Sequence, residues 1–364
     1  MATISSYKTA RGDTRYRVRY RTPDHRSTQK RGFKTKRDAE QFAATVEVAK
    51  MRGEYVAPSV GKTTIGELGP AWLERQRGHI KPSTSRSYES AWRIHVAPKW
   101  ADKRIADIRY SDVAAWVAEL AAKRGRATVA MAYQVLARIV DDAARDRLLS
   151  SNQARGVKLG KPSPRRNVYL TADQLRRLAD ESGCYRSLVL LLGVGGLRWG
   201  EAAALRLCDV DFLRRRVELH RNAVYVGPGF VVGSLKSNKS RAVVLPAFVM
   251  DALAQTAEGK DRDDLLWPSR NGGYLGTPSS ADSWLAGAVR RCQQTDPTFP
   301  RVTAHALRHT AASLAISAGA NPKVVQRMLG HASAAMTLDV YADLFDSDLA
   351  TVAESVAKMW PRQA

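Results

Sequence analysis

Five short motifs in the second half of this 364-residue chain hold residue types that together could work on a phosphate ester. In order they are Gly196-Leu197-Arg198-Trp199-Gly200-Glu201, Leu235-Lys236-Ser237, His305-Ala306-Leu307-Arg308-His309, Leu329-Gly330-His331, and Tyr341 ten positions after His331. Arg198 and Arg308 suit an anion because a guanidinium fork pairs with two phosphate oxygens and keeps its charge at physiological pH. Fixed donors of that kind stabilise a transition state that gathers negative charge on phosphoryl oxygens. His305 and Arg308 are three apart, so one helix can present both to a single phosphate. Lys236, in a turn between strand-like segments, is placed to protonate a leaving oxygen, with Lys239 on the same turn as its competitor. Tyr341 offers a phenolate nucleophile; its plain alternative is a core tyrosine. Glu201, one helical turn beyond Arg198, is expected to orient the basic residues, its alternative being an ordinary surface ion pair. His309 is expected to pack and to hydrogen-bond the backbone.

Other chemistries fit poorly. His305 and His309 have the i, i+4 spacing of a helical metal pair, but Ala306 stands where a zinc protease carries Glu and no third ligand is near in sequence, so no metal is expected. The Gly193–Gly196 stretch is not followed by the GK[ST] of a nucleotide loop. Cys184, Cys208 and Cys292 are odd in number and far apart, which fits a reducing compartment and no disulfide framework.

These motifs need elements to position them. Thr171 is expected to cap one helix, Ser187–Gly193 to lie in another, and Arg198–Leu207 in a further one. Arg216–His220, Ala223–Val226, Phe230–Leu235 and Ala242–Leu245 alternate like short antiparallel strands, with turns at Gly227-Pro228-Gly229 and Ser237–Ser240. The chain after Pro246 reads as mainly helical. Upstream, residues 64–150 read as wholly helical, with starts at Thr64, Ser83, Ser111 and near Arg126. Their apolar stripes (Ala91, Ile94 and His95; Val113, Trp116, Val117 and Leu120; Val129, Tyr133, Leu136, Ile139 and Val140) are expected to be core. Lys81, Arg86, Arg93 and Lys99 lie around them as candidate phosphate contacts. At the front, Arg15-Tyr16-Arg17-Val18-Arg19-Tyr20-Arg21 has the period of a strand, placing Arg15, Arg17, Arg19 and Arg21 on one face. Gln29–Phe33 can pair back on it after a turn at Pro23–His25. Thr35 and Asp38 resemble a capping box before the helical stripe Ala39, Phe42, Ala43, Val46 and Ala49. Glu54–Thr63 and Gly156–Arg166 read as linkers.

The chain carries 58 Lys+Arg against 35 Asp+Glu, a net charge of +23. That excess disfavours an acidic, solvating or purely metabolic protein and points to nucleic acid or an anionic surface. Charge is densest in residues 1–60, with 14 basic and 6 acidic residues, and thinnest after residue 160. A very basic front module on a less basic body is the simplest account. The N-terminus is too charged for a signal peptide, and the apolar run Leu188–Val194 is too short to span a bilayer. A cytoplasmic protein without membrane partners is expected.

The ordered set of five motifs resembles the tyrosine recombinases, or phage-type integrases, which carry an Arg in a GLRxGE-type motif, a Lys on a β-hairpin, HxLRHT, a late LGH and a Tyr about ten positions on. Ala306 departs from many members, which carry an acidic residue there; the position is not catalytic. The resemblance implies a multidomain, mainly α fold with small antiparallel β-sheets. Residues 1–58 would be an arm-type DNA-binding domain, a three-stranded sheet plus a helix. Residues 64–155 would be a helical core-binding (SAM-like) domain, and residues 165–364 an α+β catalytic domain. It implies attack by Tyr341 on a phosphodiester, giving a 3′-phosphotyrosine and a free 5′-hydroxyl, with rejoining by a 5′-hydroxyl from another duplex. No ATP and no cofactor are needed, since one ester replaces another. It further implies that His305 assists proton transfer at the nucleophile and that His331 donates to the scissile phosphate. The expected partners are double-stranded attachment sites of core and arm type, a homotetramer on DNA, an excisionase and a host DNA-bending protein. The element moved would be a temperate phage genome. Alternatives are an integrative element or transposon, a chromosome-dimer resolvase, or a DNA-binding regulator without activity. Asp346–Trp360, with Leu349, Val352, Val356 and Met359 at helical spacing, would dock on a neighbouring protomer or pack in cis.

Overall fold

A computed structural model describes residues 2–23, 25–52, 55, 62–161, 167–227, 229–233, 235 and 240–345 of the chain. Much of the two linkers, the turn holding Lys236 and Lys239, and the segment Asp346–Trp360 lie outside the described residues. The chain divides into two compact units, Met1–Ser163 and Pro164–Ala364.

The first unit opens with strands β1 (Thr3–Lys8), β2 (Thr14–Arg21) and β3 (Ser27–Phe33), antiparallel in that order. Alternation along β2 buries Val18 and Tyr20 and turns the arginines to the other face. There Arg17 Nε donates to Ser5 Oγ at 2.8 Å, while Arg19 and Arg21 are exposed. Helix α1 (Lys36–Met51) starts at Thr35, whose hydroxyl accepts from Asp38 N at 3.1 Å. It lays Ala39, Ala43 and Val46 over Val18 and Tyr20.

The helical part of this unit contains α2 (Ile65–Arg77), α3 (Pro82–Ala91), a π-helical turn Trp92–Val96, α4 (Ala97–Trp100), α5 (Tyr110–Lys123) and α6 (Arg126–Arg145). Thr64 and Glu67 form a reciprocal capping box at the start of α2. Trp72, Tyr88, Trp100, Trp116, Leu136 and Ile139 share one core; each such side chain contributes about 1.5–3 kcal/mol by leaving water. Ile94, expected inside, is 48% exposed. The π turn adds a residue to the helical repeat, which rotates the following positions and sends Val96 and Trp100 inward instead. Lys81, Arg86, Arg93 and Lys99 are exposed.

The second unit begins with α7 (Ala172–Asp180), capped by Thr171 and Gln174, and α8 (Arg186–Gly195), whose Leu188–Leu192 run is wholly buried. A short α9 (Trp199–Ala203) follows. The expected longer helix to Leu207 does not form. Leu205 O accepts from Leu266 N at 3.0 Å and Leu207 N donates to Asp264 O at 3.1 Å, so this stretch bonds a neighbouring segment instead of its own helix. Strands β4 (Val210–Asp211), β5 (Arg216–Leu219), β6 (Asn222–Tyr225), β7 (Phe230–Gly233) and β8 (Arg241–Val244) form two sheets, ordered β4-β5-β8 and β6-β7. Among the described residues, β7 and β8 are therefore not a hairpin; Lys236, which follows β7 in sequence, lies outside those residues. Helices α10 (Ala247–Ala257), α11 (Trp284–Thr295), α12 (Ala304–Ser317), α13 (Pro322–Leu329) and α14 (Ala334–Phe345) complete the unit. Helix α12 packs along α8, and α13 and α14 lie against α12. Among the described residues no helix is long and apolar enough to cross a membrane.

Candidate active site

Arg198 owes its position to a chain reversal. Helix α8 ends at Gly196, which is left-handed at φ 69° and donates its N–H to Leu192 O at 3.2 Å. A Cβ at Gly196 would stand 2.6 Å from Leu329 Cδ2, so both conformation and space require glycine here. Arg198 then serves as N-cap of α9 and Glu201 as its third residue. Arg198 N donates to Glu201 Oε2 at 2.9 Å and Arg198 Nη1 to Oε1 at 2.8 Å.

Glu201 is 1% exposed. Arg241, at the start of β8, closes on it from the other side, with Nη1 3.0 Å from Oε1 and Nη2 2.6 Å from Oε2. Burial alone would push the Glu201 carboxyl up. The hydrogen bonds and charge of Arg241, aided by Arg198, outweigh that and hold it below the ordinary carboxylate range.

Helix α12 supplies Arg308, His305 and His309. Its start is fixed by Thr303, whose hydroxyl accepts from Ala306 N at 3.2 Å. Arg308 is 3% exposed and donates to Gly196 O at 2.5 Å and to Leu329 O at 2.7 Å. Burial pulls its pKa down to about 10, with Arg198 and Arg241 adding to the effect and Glu201 opposing it. Three guanidiniums thus surround one carboxylate, leaving two positive charges uncompensated among the described residues. That surplus matches an anion that gains charge in its transition state.

Helix α13 ends at Gly330, left-handed at φ 66°, and places His331 beside the arginines. Arg198 Nη2 donates to Gly330 O at 3.0 Å, and His331 Nδ1 lies 2.9 Å from Thr337 Oγ1. Burial, then the charges of Arg308 and Arg198, push the His331 ring down to about 4.

Tyr341 sits at a break in α14, with φ −125° and ψ 16°. It is 1% exposed and packs with Ala312, Ile316, Val325 and Leu329. Its Oη lies 2.9 Å from His309 Nδ1, and its ring runs nearly parallel to that of His331 at 6.5 Å. Burial pushes the phenol up to about 12 against the pull of Arg308. Burial, then His305 and Arg308, push His309 down to about 4. Both partners are therefore neutral near pH 7, and the phenol donates to Nδ1 when the imidazole proton is on Nε2.

The structure brings Arg198, Glu201, Arg308, His331 and Tyr341 together from α9, α12, α14 and the end of α13. His305 stands at the exposed rim, its ring centroid 4.6 Å from that of His309. His309 does not have the backbone-bonding role expected of it: its ring nitrogen meets the Tyr341 hydroxyl, because it lies one turn beyond His305 on the face turned to α14. Lys236 lies outside the described residues. Arg241 was not legible as a site residue, since a basic residue opening a short strand carries no local signal; only the contact with Glu201, 40 positions earlier, reveals it. Among the described residues no group of three or more His, Cys, Asp or Glu side chains is arranged to hold a metal ion.

Family profiles match three separate stretches of the chain. The Phage integrase family profile matches residues 168–348, an Arm DNA-binding domain profile residues 5–49, and the Phage integrase, N-terminal SAM-like domain profile residues 64–121. The integrase of Mycobacterium phage D29 is 26% identical over 324 residues, covering 85% of this chain and 84% of that protein. The fold is similar to that of the Tn1549 transposon integrase in complex with transposon right end DNA, with TM-score 0.69 and 21% identity over 80% of this chain and all of that one. It is also similar to a lambda integrase tetramer bound to a Holliday junction, with TM-score 0.58 and 17% identity over 90% of this chain and 95% of that one. The chain belongs to the phage integrase family, the tyrosine recombinases that its motifs resemble.

Proposed function

We propose that this protein is a site-specific DNA recombinase that integrates and excises a mobile element, a temperate phage genome, through a covalent phosphotyrosine on Tyr341. The observation that carries this reading is a buried tyrosine whose hydroxyl meets His309 and whose ring lies parallel to that of His331, in the field of Arg308, while Arg198 and Arg308 are tied to the backbone at Leu329–Gly330 in a site with surplus positive charge. In the proposed reaction the scissile phosphate enters between the guanidiniums of Arg198 and Arg308. Their charge draws the phenol toward ionisation and offsets the second negative charge that appears as Oη bonds to phosphorus. The bond to the 5′-oxygen breaks, and Lys236 gives that oxygen its proton. His331 donates to a non-bridging oxygen; the phenol proton passes to His309 Nδ1, 2.9 Å away, and His305 beside it assists that transfer. Reversal by a 5′-hydroxyl from a second duplex restores the phosphodiester and the free tyrosine.

Residues 1–58 serve arm-type sites with Arg15, Arg17, Arg19 and Arg21; residues 64–155 hold the core site, with Lys81, Arg86 and Arg93 on phosphates; residues 165–364 carry the chemistry. Strand exchange between two duplexes calls for four protomers, and an excisionase and a host DNA-bending protein would set direction. Movement of a transposon or integrative element is the second reading, favoured by the likeness in fold to the Tn1549 integrase. The test is Tyr341→Phe on a nicked suicide substrate. The variant should bind the core site and form no covalent adduct; an adduct at the wild-type level overturns the assignment.

A further inference from the structure

Arg241 lies behind Arg198 and not beside it. Its side chain is 11% exposed, against 25% for that of Arg198. Its fork meets both oxygens of Glu201, and each oxygen also accepts a bond from Arg198, one from the guanidinium and one from the backbone. The carboxylate is thus held on both oxygens and cannot turn. Arg241 Nε adds a bond to Met328 O at 3.3 Å, and Arg198 Nη2 reaches Gly330 O two residues on. These contacts close a ring from the start of α9 through β8 to the end of α13 and back. A Cβ on Gly330 would stand 2.9 Å from Arg241 Nη1, so the ring closes over a glycine.

We propose that Arg241 is a positioning residue for the recombination reaction: it takes up the charge of Glu201, so that the guanidinium of Arg198 is aimed and left electrostatically free for the scissile phosphate. A buried carboxylate needs a full positive partner. With Arg241 present, Glu201 has that partner and uses Arg198 mainly as a hinge. Without Arg241, Arg198 becomes the sole cation in direct contact with Glu201, and its charge is spent inside the protein. A bidentate fork is needed because both carboxylate oxygens must be held at once, which a lysine cannot do.

This inference rests on the recombinase reading, and the test separates the two. Single-turnover cleavage of a suicide substrate is compared for the full-length wild type, Arg241→Gln, Glu201→Gln and the double variant. Each uses a normal phosphodiester and a methylphosphonate at the scissile position, which carries no charge. Arg241→Gln should bind the core site within about threefold of wild type and cleave the phosphodiester about 100-fold more slowly. On the methylphosphonate the deficit should shrink to under about tenfold, since there is no phosphate charge for Arg198 to offset. Adding Glu201→Gln should raise the rate above that of Arg241→Gln alone, because the carboxylate that captured Arg198 is gone. A purely structural role predicts equal losses on both substrates and a double variant worse than either single one; that pattern, or wild-type cleavage by Arg241→Gln, overturns the proposal. If Arg241→Gln does not fold, Arg241→Lys decides. A loss of about tenfold that shrinks on the methylphosphonate supports the proposal, and an unchanged rate overturns it. No adduct from the wild-type protein on either substrate sinks the recombinase reading itself. Wild-type adduct with an unaffected Arg241→Gln sinks only this inference.

Discussion

Acid should loosen the catalytic unit through His309 and His331. Burial is the first cause for both rings. After burial, the groups among the described residues that push them down are His305 and Arg308 for His309, and Arg308, Arg198, His309 and Arg241 for His331. Each pKa is pushed from 6.5 down to about 4. A histidine with a depressed folded pKa binds more protons when unfolded, so its stabilising contribution is present above about 6.5 and is lost as pH falls toward about 4. Between pH 7.5 and 5.0 that linkage removes about 2 kcal/mol per ring, or about 4 kcal/mol as a ceiling for the pair. Both rings are partly open to water and His331 also feels His309, so about half of that, ~2 kcal/mol, is expected after screening. Hydrogen exchange of the α8 and α12 amides in the full-length chain reads this directly. After correction for the intrinsic rate, protection should fall about 30-fold between pH 7.5 and 5.0. The His309→Gln, His331→Gln double variant should lose most of that dependence. Equal losses in wild type and variant, or none in the wild type, would show that the two rings do not carry the pH dependence.

Further outcomes are expected at the arginine–glutamate ring and in the basic front module. Glu201→Ala leaves Arg198, Arg241 and Arg308 facing one another without their carboxylate, and should lower stability by about 3–5 kcal/mol, read as a lower urea midpoint for the second unit. Gly330→Ala forces a side chain into left-handed backbone at φ 66° and onto Arg241; it should cost about 1–3 kcal/mol in thermal unfolding and reduce adduct formation more than core-site binding. Deleting residues 1–58 should spare binding to a short core site and abolish recombination of the long attachment site, measured by gel shift and by product formation. Core-site binding by the truncated chain should also fall less steeply with salt, because 14 of the basic residues lie in residues 1–60.

The sequence made the chemistry legible where it is written in contiguous motifs. Arg198, Arg308, His331 and Tyr341 stand out because each lies in a short motif and the order of the motifs is itself informative. Glu201 follows from helical spacing to Arg198. Arg241 does not, because its contact joins a strand to a helix 40 positions away and no local pattern announces such a pairing. His309 is visible as a residue but not in its role: spacing places it on the face of His305 and carries no sign that α14 delivers Tyr341 there. Ile94 faces solvent because a π turn changes the helical period in mid-segment, which amphipathic counting assumes constant. The Arg198–Leu207 stretch looked helical by composition, but its backbone bonds go to residues 264–266, a tertiary choice that propensity does not contain.

In the proposed reaction Tyr341 becomes covalently joined to DNA in a site charged by Arg198 and Arg308. The most direct measurement is to trap the wild-type chain on a nicked suicide substrate, digest the adduct, and locate the nucleotide-bearing residue by mass spectrometry. A nucleotide attached through its 3′-phosphate to the peptide containing Tyr341, and absent from Tyr341→Phe, is the predicted result. A nucleotide on any other residue, a 5′-phosphate linkage, or no adduct from a chain that binds the site would contradict it.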